Sequence, residues 1–271
     1  MKIVFALFVI SAPVAALAEG ACEGPFQTVL QASAEPGDAQ ALSIGGDTVL
    51  WPGKPAEGRY RLRDLADAQN SSDLRAASTP VPPGYRYAGA GAVLRVNAPP
   101  QRVRALLRGQ PLLEQIDEQG RAIASTGLQH AAALDALYPA AERVTGFGAR
   151  PSARRTGFKL WAPTARKVAL CVYAGARTQQ ATEYAMRRDG RTGVWSAALP
   201  GDLSGRYYRY AVDVHVRGVG LVRNRVSDPY AVSGNADGER SYIARLSDAA
   251  LKPPGWDATP RPRVAAQTDM A

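Results

Sequence analysis

Few side chains in this 271-residue sequence have the types and spacing that catalysis requires. The two histidines, His130 and His215, lie apart from the cysteines and from any acidic cluster, so neither a zinc site nor a histidine-based triad is predicted. No phosphate-cradling loop, dinucleotide fingerprint or nucleophile elbow is present. The sequence therefore predicts a chain without a metal ion or a cofactor.

Carboxylates need a separate test, because a glycosidase requires two of them facing a sugar. Four candidate aspartates each adjoin glycine or proline, where aspartate is favoured by turn geometry. These are Asp189, Asp202, Asp228 and Asp237. The turn interpretation is favoured for all four, so no catalytic residue is predicted.

Residues 1–18 have the three parts of a signal peptide. Lys2 gives a positive start, residues 3–10 form an apolar run, and residues 16–18 have the small-x-small form of a cleavage site. No other apolar run approaches the ~20 residues that span a bilayer. The mature chain is expected to begin at Glu19, to be periplasmic or secreted, and to have no membrane partner.

Cys22 and Cys171 are the two cysteines, and an exported protein meets conditions in which disulfides persist. A bond between them would close a loop of more than half the chain. Alternatively, Cys171 is a small buried hydrophobe within the strand-like run 168–173. The sequence leaves both interpretations open.

The chain is basic, with 33 Lys+Arg against 24 Asp+Glu and a net charge of +9. Arg59, Arg61 and Arg63 would share one face of a strand, which could suit an anionic polymer. No aromatic stacking platform accompanies them, and an export signal disfavours such a partner. We expect a solvated strand face and no nucleic-acid binding.

The length suits two domains, and 26 Gly with 20 Pro predict many turns between short strands. The first domain is assigned to residues 19–148. It contains predicted hairpins over 41–51 and 111–125, a long surface excursion over 64–92, and one short helix over 130–138.

A turn-rich boundary at 146–156 is followed by short strands at sandwich-like spacing, which predict a second domain over 156–246 and a Pro-rich linker over 247–271. Alternation along Tyr207–Val216 directs Tyr208 and Tyr210 inward. It directs Tyr207, Arg209 and Asp213 outward. Trp161 is also placed in the core. The predicted fold is mainly β, an immunoglobulin-like β-sandwich preceded by a second β-rich domain with one short helix.

The pattern Trp-Ala-Pro-x-Ala-x-x-Val, which begins at residue 161, resembles the opening of the family 48 carbohydrate-binding module of isoamylase, branching-enzyme and pullulanase relatives. Further motifs agree in order at residues 193–195, 199–201, 205–210 and 227–231. Residues 25–30, 50–53 and 126–129 resemble the extra N-terminal domain of large secreted bacterial pullulanases, and residues 251–257 resemble their junction into the catalytic barrel.

These relatives are glycoside hydrolases of family 13 that cleave α-1,6 branches in pullulan and related glucans. Their nucleophile and general acid lie in a barrel that would follow this region, and the chain ends where its first strand is expected. The resemblance therefore implies a non-catalytic accessory region. Alternatively, the chain is a fragment of a full-length enzyme and takes part in α-1,6-glucosidic hydrolysis only with the missing barrel.

In glucan-binding members, the resemblance implies two tryptophans and one basic residue at the sugar site. Arg209 fits the basic position, and Tyr207 is its outward neighbour on the strand. Residues 175–180 contain no aromatic side chain, and Arg225 takes the place of the second tryptophan. We expect weak α-glucan binding at Arg209 and Tyr207. Docking on a glycoside hydrolase barrel, without any sugar affinity, remains the alternative.

Overall fold

A computed structural model describes residues 20–33, 37–260 and 266. The predicted signal peptide lies outside the described residues. Within them, no helix is long and apolar enough to cross a membrane.

The first half of the chain forms a closed barrel with the strand order β2-β3-β6-β5-β4-β7-β8. The parallel pairing of β2 with β8 closes it. After a preceding strand β1 (Gln27–Ala32), the barrel strands are β2 (Ala41–Ser43), β3 (Thr48–Pro52), β4 (Arg59–Asp64), β5 (Asp67–Ala76), β6 (Gly91–Val96), β7 (Pro111–Ile116) and β8 (Ala122–Gln129). The interior is filled by apolar side chains that include Trp51, Tyr60 and Leu94.

Two α-helices accompany the barrel, α1 (Pro100–Leu107) and α2 (Ala131–Leu137). The sequence predicted α2 and missed α1, so the prediction of one short helix was wrong. Pro100 begins α1 because proline fits the first helical position. Val103, Leu106 and Leu107 then bury one face of α1 against the barrel core.

The second half forms a β-sandwich, as predicted. Its strands are β9 (Gly148–Pro151), β10 (Arg155–Trp161), β11 (Lys167–Tyr173), β12 (Ala181–Ala185), β13 (Arg187–Arg188), β14 (Val194–Pro200), β15 (Tyr207–Val216), β16 (Gly220–Val226) and β17 (Ser241–Tyr242). One sheet has the order β1-β16-β15-β11-β12, with β17 also paired to β15, and the other has the order β13-β14-β10-β9. Short 3-10 turns cover Pro83–Ala88, Pro139–Arg143, Ala236–Gly238, Ala249–Leu251 and Trp256–Ala258.

The N-terminal strand crosses the boundary that the sequence suggested. β1 falls within the range 19–148 assigned to the first domain, yet it pairs antiparallel with β16 of the sandwich. The sandwich also includes β9, which precedes the predicted start at residue 156. The chain thus contributes its first strand to the sandwich, then forms the barrel, and then forms the remaining strands of the sandwich.

The sandwich core contains Tyr208 and Tyr210, which are fully buried as predicted. Both hydroxyls donate to Oδ2 of Asp228, at 2.7 Å and 3.0 Å. Burial, followed by the charge of Asp228, raises the pKa of both tyrosines. Asp228 is therefore a buried acceptor as well as a turn residue.

The placement of Trp161 in the core was wrong, because its ring is partly exposed and its Nε1 donates to the Thr192 carbonyl.

Two of the three arginines in the strip on β4 form ion pairs with one glutamate on the neighbouring strand. Glu114 on β7 accepts hydrogen bonds from Arg61 at 2.7 Å and from Arg63 at 2.8 Å. Burial alone would raise the pKa of the Glu114 carboxyl, but the hydrogen bonds and charges of the two arginines outweigh it and hold the pKa below its usual value. Arg59 donates to the carbonyls of Asp117 and Glu118. On this strand face, Arg61 and Arg63 are thus ion-paired, while Arg59 is held by backbone carbonyls.

Candidate functional site

The largest concavity around the predicted sugar-binding residues lies on the outer face of the β1-containing sheet. We call it the Arg209 groove, and its volume is about 1030 Å³. Three chain segments surround Arg209 and Tyr207 there, namely residues 22–24, 176–180 and 234–240. The structure therefore brings both predicted residues into one open site, since they lie on the same face of β15. Their role as sugar ligands stays a prediction.

The wall formed by residues 22–24 is fastened by a disulfide between Cys22 and Cys171, whose Cα atoms are 5.6 Å apart. The Cys22 carbonyl accepts hydrogen bonds from Arg209 Nη2 at 2.7 Å and from the Tyr173 hydroxyl at 3.4 Å. The Ala21 amide donates to Glu183 at 2.7 Å. This wall thus covers part of a sheet face that alternation alone assigned to solvent or a partner.

Arg225 holds the same wall from the neighbouring strand β16. Its guanidinium donates to the carbonyls of Ala21 at 3.0 Å and Pro25 at 2.8 Å, and to Thr28 Oγ1 at 2.8 Å. Gly24 has a φ of 101°, and a Cβ at this position would lie only 3.2 Å from the guanidinium. At the position where the resemblance implies a tryptophan, this chain therefore has an arginine that anchors its own N-terminal segment.

Arg209 is half-buried, and its orientation is set by the wall. Besides its bond to the Cys22 carbonyl, its guanidinium carbon lies 5.6 Å from the centre of the Tyr173 ring. Tyr207 is also half-buried, and its ring lies 5.2 Å from that of Tyr242. Both side chains line the groove, so each presents part of its surface to a ligand there.

Arg240 organises the opposite side of the groove, and no sequence pattern indicated this role. Its Nη1 donates to the carbonyls of Gly175, Ala176 and Thr178 at 2.8–3.1 Å. Its guanidinium also stacks on Tyr173 at 3.7 Å from the ring centre. These partners are more than 60 residues away along the chain, so no local pattern could have revealed the contact.

The turn over residues 234–240 carries a conformational constraint. Asp237 has a φ of 64°, the one positive value among the described non-glycine residues. The Asn235 side chain accepts the Arg240 amide at 2.8 Å, which closes the turn over this residue. Left-handed backbone of this kind often accompanies ligand sites, and Asp237 lines the groove.

The groove is suited to hydrogen bonding with a polar ligand. Beyond the arginines and Tyr207, its lining includes side chains that donate to or accept from hydroxyl groups. These are Glu23, Gln179, Gln180, Asn235, Asp237 and Glu239. Across the described residues, no three His, Cys, Asp or Glu side chains are grouped so as to hold a metal ion. The lining therefore offers hydrogen-bond donors and acceptors to a polar ligand.

Comparisons with known proteins define the class of each domain. Residues 146–231 match the family described as carbohydrate-binding module 48 (isoamylase N-terminal domain). Residues 38–136 match the pullulanase N2 domain. The sandwich that carries the Arg209 groove thus matches the family 48 module, and the resemblance predicted from the sequence is confirmed for both domains.

The particular relatives are pullulanases. The chain is 32% identical to a pullulanase of Klebsiella pneumoniae over 81% of its length and 21% of the relative's. It is 33% identical to the chloroplastic pullulanase 1 of Arabidopsis thaliana over 57% of its own length and 16% of that protein. The chain therefore spans about a fifth or less of these relatives.

The solved structures agree with this similarity. The apo pullulanase of Klebsiella pneumoniae matches with a TM-score of 0.72 at 28% identity, covering 82% of this chain and 25% of that one. A maltotriose complex of the same enzyme matches with a TM-score of 0.70 at 29% identity, covering 82% of this chain and 22% of that chain. Over its two β domains, the chain is similar to the N-terminal region of pullulanases.

Proposed function

We propose that this chain is a non-catalytic accessory region of a pullulanase-like debranching enzyme, and that it binds α-glucan weakly in the Arg209 groove. The observation that carries the proposal is the placement of Arg209 and Tyr207 side by side in an open, polar groove of a carbohydrate-binding module. A guanidinium presents several donors in fixed geometry, which suits the hydroxyl groups of a sugar.

Weak affinity follows from the scarcity of aromatic surface in the groove. Apolar contact with a sugar ring requires an exposed aromatic face. Tyr207 offers part of one, while Tyr173 is buried beneath Arg240 and the N-terminal wall. Hydrogen bonds made at an open surface replace bonds to water and add little net affinity, about 0.5–1.5 kcal/mol each. We therefore expect dissociation constants in the millimolar range.

The binding test compares the wild type with Arg209→Ala by calorimetry and affinity electrophoresis, using pullulan, maltotriose and cyclodextrin. Arg187→Ala is the matched control, because Arg187 is an exposed strand arginine on the other sheet. We expect binding in the wild type and in the control, and at least a fivefold loss in Arg209→Ala. Equal affinity in all three proteins would exclude the groove as the site.

We further propose that the chain has no hydrolytic activity of its own. Asp228 is buried and accepts hydrogen bonds from two tyrosines, and Asp189 and Asp202 each accept a backbone amide two residues further on, as turn aspartates do. The resemblance places the nucleophile and the general acid in a separate barrel. Purified protein should release no reducing ends from pullulan. Release that scales with protein concentration and persists through further purification would contradict this.

An exported location also belongs to this proposal. The predicted signal peptide and the disulfide between Cys22 and Cys171 both suit a periplasmic or secreted protein. Fractionation of expressing cells tests it. Protein that accumulates in the cytoplasm with its N-terminus intact would be evidence against export.

A specific apolar surface supports docking as the second candidate function. Val232 is 63% exposed and Leu246 is 69% exposed, and both line a shallow cavity of about 200 Å³ together with Tyr230. Contiguous exposed apolar side chains often mark interaction sites. Docking on a catalytic barrel predicts that Leu246→Asp abolishes association with a pullulanase catalytic region supplied separately. Unchanged association would argue against this surface.

A further inference from the structure

A second concave site lies at the seam between the two halves of the chain, and it shares no lining residue with the Arg209 groove. We call it the seam pocket, and its volume is about 220 Å³. It is lined by Asp135, Tyr138, Ala141, Glu142, Phe147, Trp161 and Tyr230. The helix α2 and the turn that follows it supply one side, and the linker and sandwich supply the other. Four of the seven lining side chains are aromatic.

The aromatic side chains are fixed in place by their neighbours. Phe147 and Tyr230 stack with ring centres 4.6 Å apart and planes inclined by 20°. Gly148 permits this stack, since it has a φ of 79° and a Cβ there would lie 2.9 Å from the Tyr230 carbonyl oxygen. The Trp161 Nε1 donates to the Thr192 carbonyl at 3.0 Å, which sets the orientation of its ring. The pocket walls are therefore preorganised.

Two carboxylates border these aromatic walls without a partner among the described residues. Asp135 and Glu142 are both exposed, and neither makes a side-chain hydrogen bond or ion pair within that part of the chain. Their oxygens are free to accept hydrogen bonds from a ligand in the pocket.

The surrounding charges select the class of ligand. Carboxylates beside aromatic rings can attract a cation. Here, however, the guanidinium groups of Arg104 and Arg188 already lie 4.9 Å and 5.8 Å from the centre of the Tyr138 ring. These guanidinium groups disfavour a cationic ligand, and the carboxylates disfavour an anionic one. A neutral ligand with an apolar face and several hydroxyl groups fits both features.

We propose that the seam pocket is a sugar subsite that binds one neutral hexose ring, independently of the Arg209 groove. The ring's C–H face would lie against the aromatic walls, and its hydroxyl groups would donate to Asp135 and Glu142. The volume is below the 300–1,000 Å³ of typical ligand pockets, so it has room for one ring. The choice of an α-linked glucose as ligand rests on the proposed function.

Trp161 itself can report on occupancy. Trp51 and Trp195 are buried, whereas Trp256 is 62% exposed. A Trp256→Phe protein therefore has Trp161 as its partly exposed tryptophan. Titration of this protein with maltose should produce a saturable change in tryptophan fluorescence. In the same background, Tyr230→Ala and Glu142→Gln should each weaken this response at least fivefold, while Arg209→Ala should leave it unchanged.

The outcomes separate this inference from the proposed function. The absence of a fluorescence response would overturn the proposal that the seam pocket binds a sugar. A response that is lost in Arg209→Ala and kept in Tyr230→Ala would also overturn it. Calorimetric binding that still depends on Arg209 would then leave the proposed function standing. A response to N-acetyl-lysine amide in place of maltose would overturn the assigned ligand class. Circular dichroism of each variant verifies its fold, and Phe147→Leu provides a second pocket variant.

Discussion

Breaking the bond between Cys22 and Cys171 should destabilise the chain substantially. The two cysteines are 149 residues apart in sequence, so the disulfide closes a loop that contains the whole barrel. Chain-entropy arithmetic for a loop of this length gives about 5 kcal/mol at 25 °C, and measured values are often about 2–4 kcal/mol. The structure thus predicts a loss of that order on reduction.

Part of the N-terminal wall should persist without the disulfide. Arg225 keeps its bonds to the Ala21 and Pro25 carbonyls, and β1 keeps its pairing with β16. The folded state therefore loses little, and the effect arises mainly in the unfolded chain. A loss of about 2–4 kcal/mol corresponds to a midpoint lower by about 4–16 °C for a chain of this size.

The assay compares thermal unfolding of three samples. These are the oxidised wild type, the wild type reduced with a phosphine, and a Cys22→Ala/Cys171→Ala variant. Alanine is preferred to serine because Cys171 is fully buried and a hydroxyl would need a partner. The reduced protein and the variant should melt at similar, lower temperatures, and the variant should not respond to reductant. Equal midpoints for the oxidised and reduced wild type would refute the reasoning.

Two further predictions concern buried carboxylates. Asp228→Ala should lower the free energy of unfolding, measured by denaturant titration, by about 2–6 kcal/mol. The reason is that two tyrosine hydroxyls would each lose a hydrogen-bond acceptor, at a cost of about 1–3 kcal/mol each. A loss below about 1 kcal/mol would contradict the role of Tyr208 and Tyr210 as donors. The lowered pKa of Glu114 means that its stabilising contribution is complete above the ordinary glutamate pKa and is lost as the pH falls through the folded-state value. Between pH 3 and pH 7, the thermal unfolding midpoint should therefore fall less in Glu114→Gln than in the wild type. Identical pH profiles for the two proteins would show that the ion pairs of Glu114 with Arg61 and Arg63 contribute no stability.

The strands of the sandwich were largely predictable because each alternates strongly. The strand-like run 168–173 falls within β11, and the alternating run 207–216 matches β15 at both ends. In the barrel, the predicted hairpins were confirmed as β2–β3 and β7–β8. Neither Gly45 nor Gly46, in the turn between β2 and β3, has a positive φ. A Cβ at Gly46 would lie 3.3 Å from the Ala136 Cβ, so this glycine makes room for α2.

The elements that were missed lack a local signal. β5 falls in the range 64–92 that was interpreted as a surface excursion, because Leu74 is the one large apolar residue in its ten positions. Its pairing with β4 and β6 forms the strand. Similarly, α1 is short and contains two arginines. Its apolar face becomes evident only from its packing against the barrel core.

In the candidate site too, some features were predictable from the sequence and others were not. Strand alternation sufficed to place Arg209 and Tyr207 on one face of a single strand, while their role as sugar ligands stays a prediction. The N-terminal wall and Arg240 were not found, since their contacts join segments far apart in sequence. Trp161 was assigned to the core because its motif is apolar, and its position beside the barrel could not be read from the sandwich pattern.

The most direct test of glucan binding in the Arg209 groove is a two-dimensional amide NMR titration of the oxidised protein with maltotriose. Saturable shifts are expected at Arg209 and within residues 176–180 and 234–240. Their midpoint should be about 1 mM, which corresponds to a binding free energy of about −4 kcal/mol. Arg209→Ala should abolish these shifts, and Arg187→Ala should retain them. Groove amides that remain unmoved up to about 20 mM maltotriose, well past that midpoint, would contradict the account.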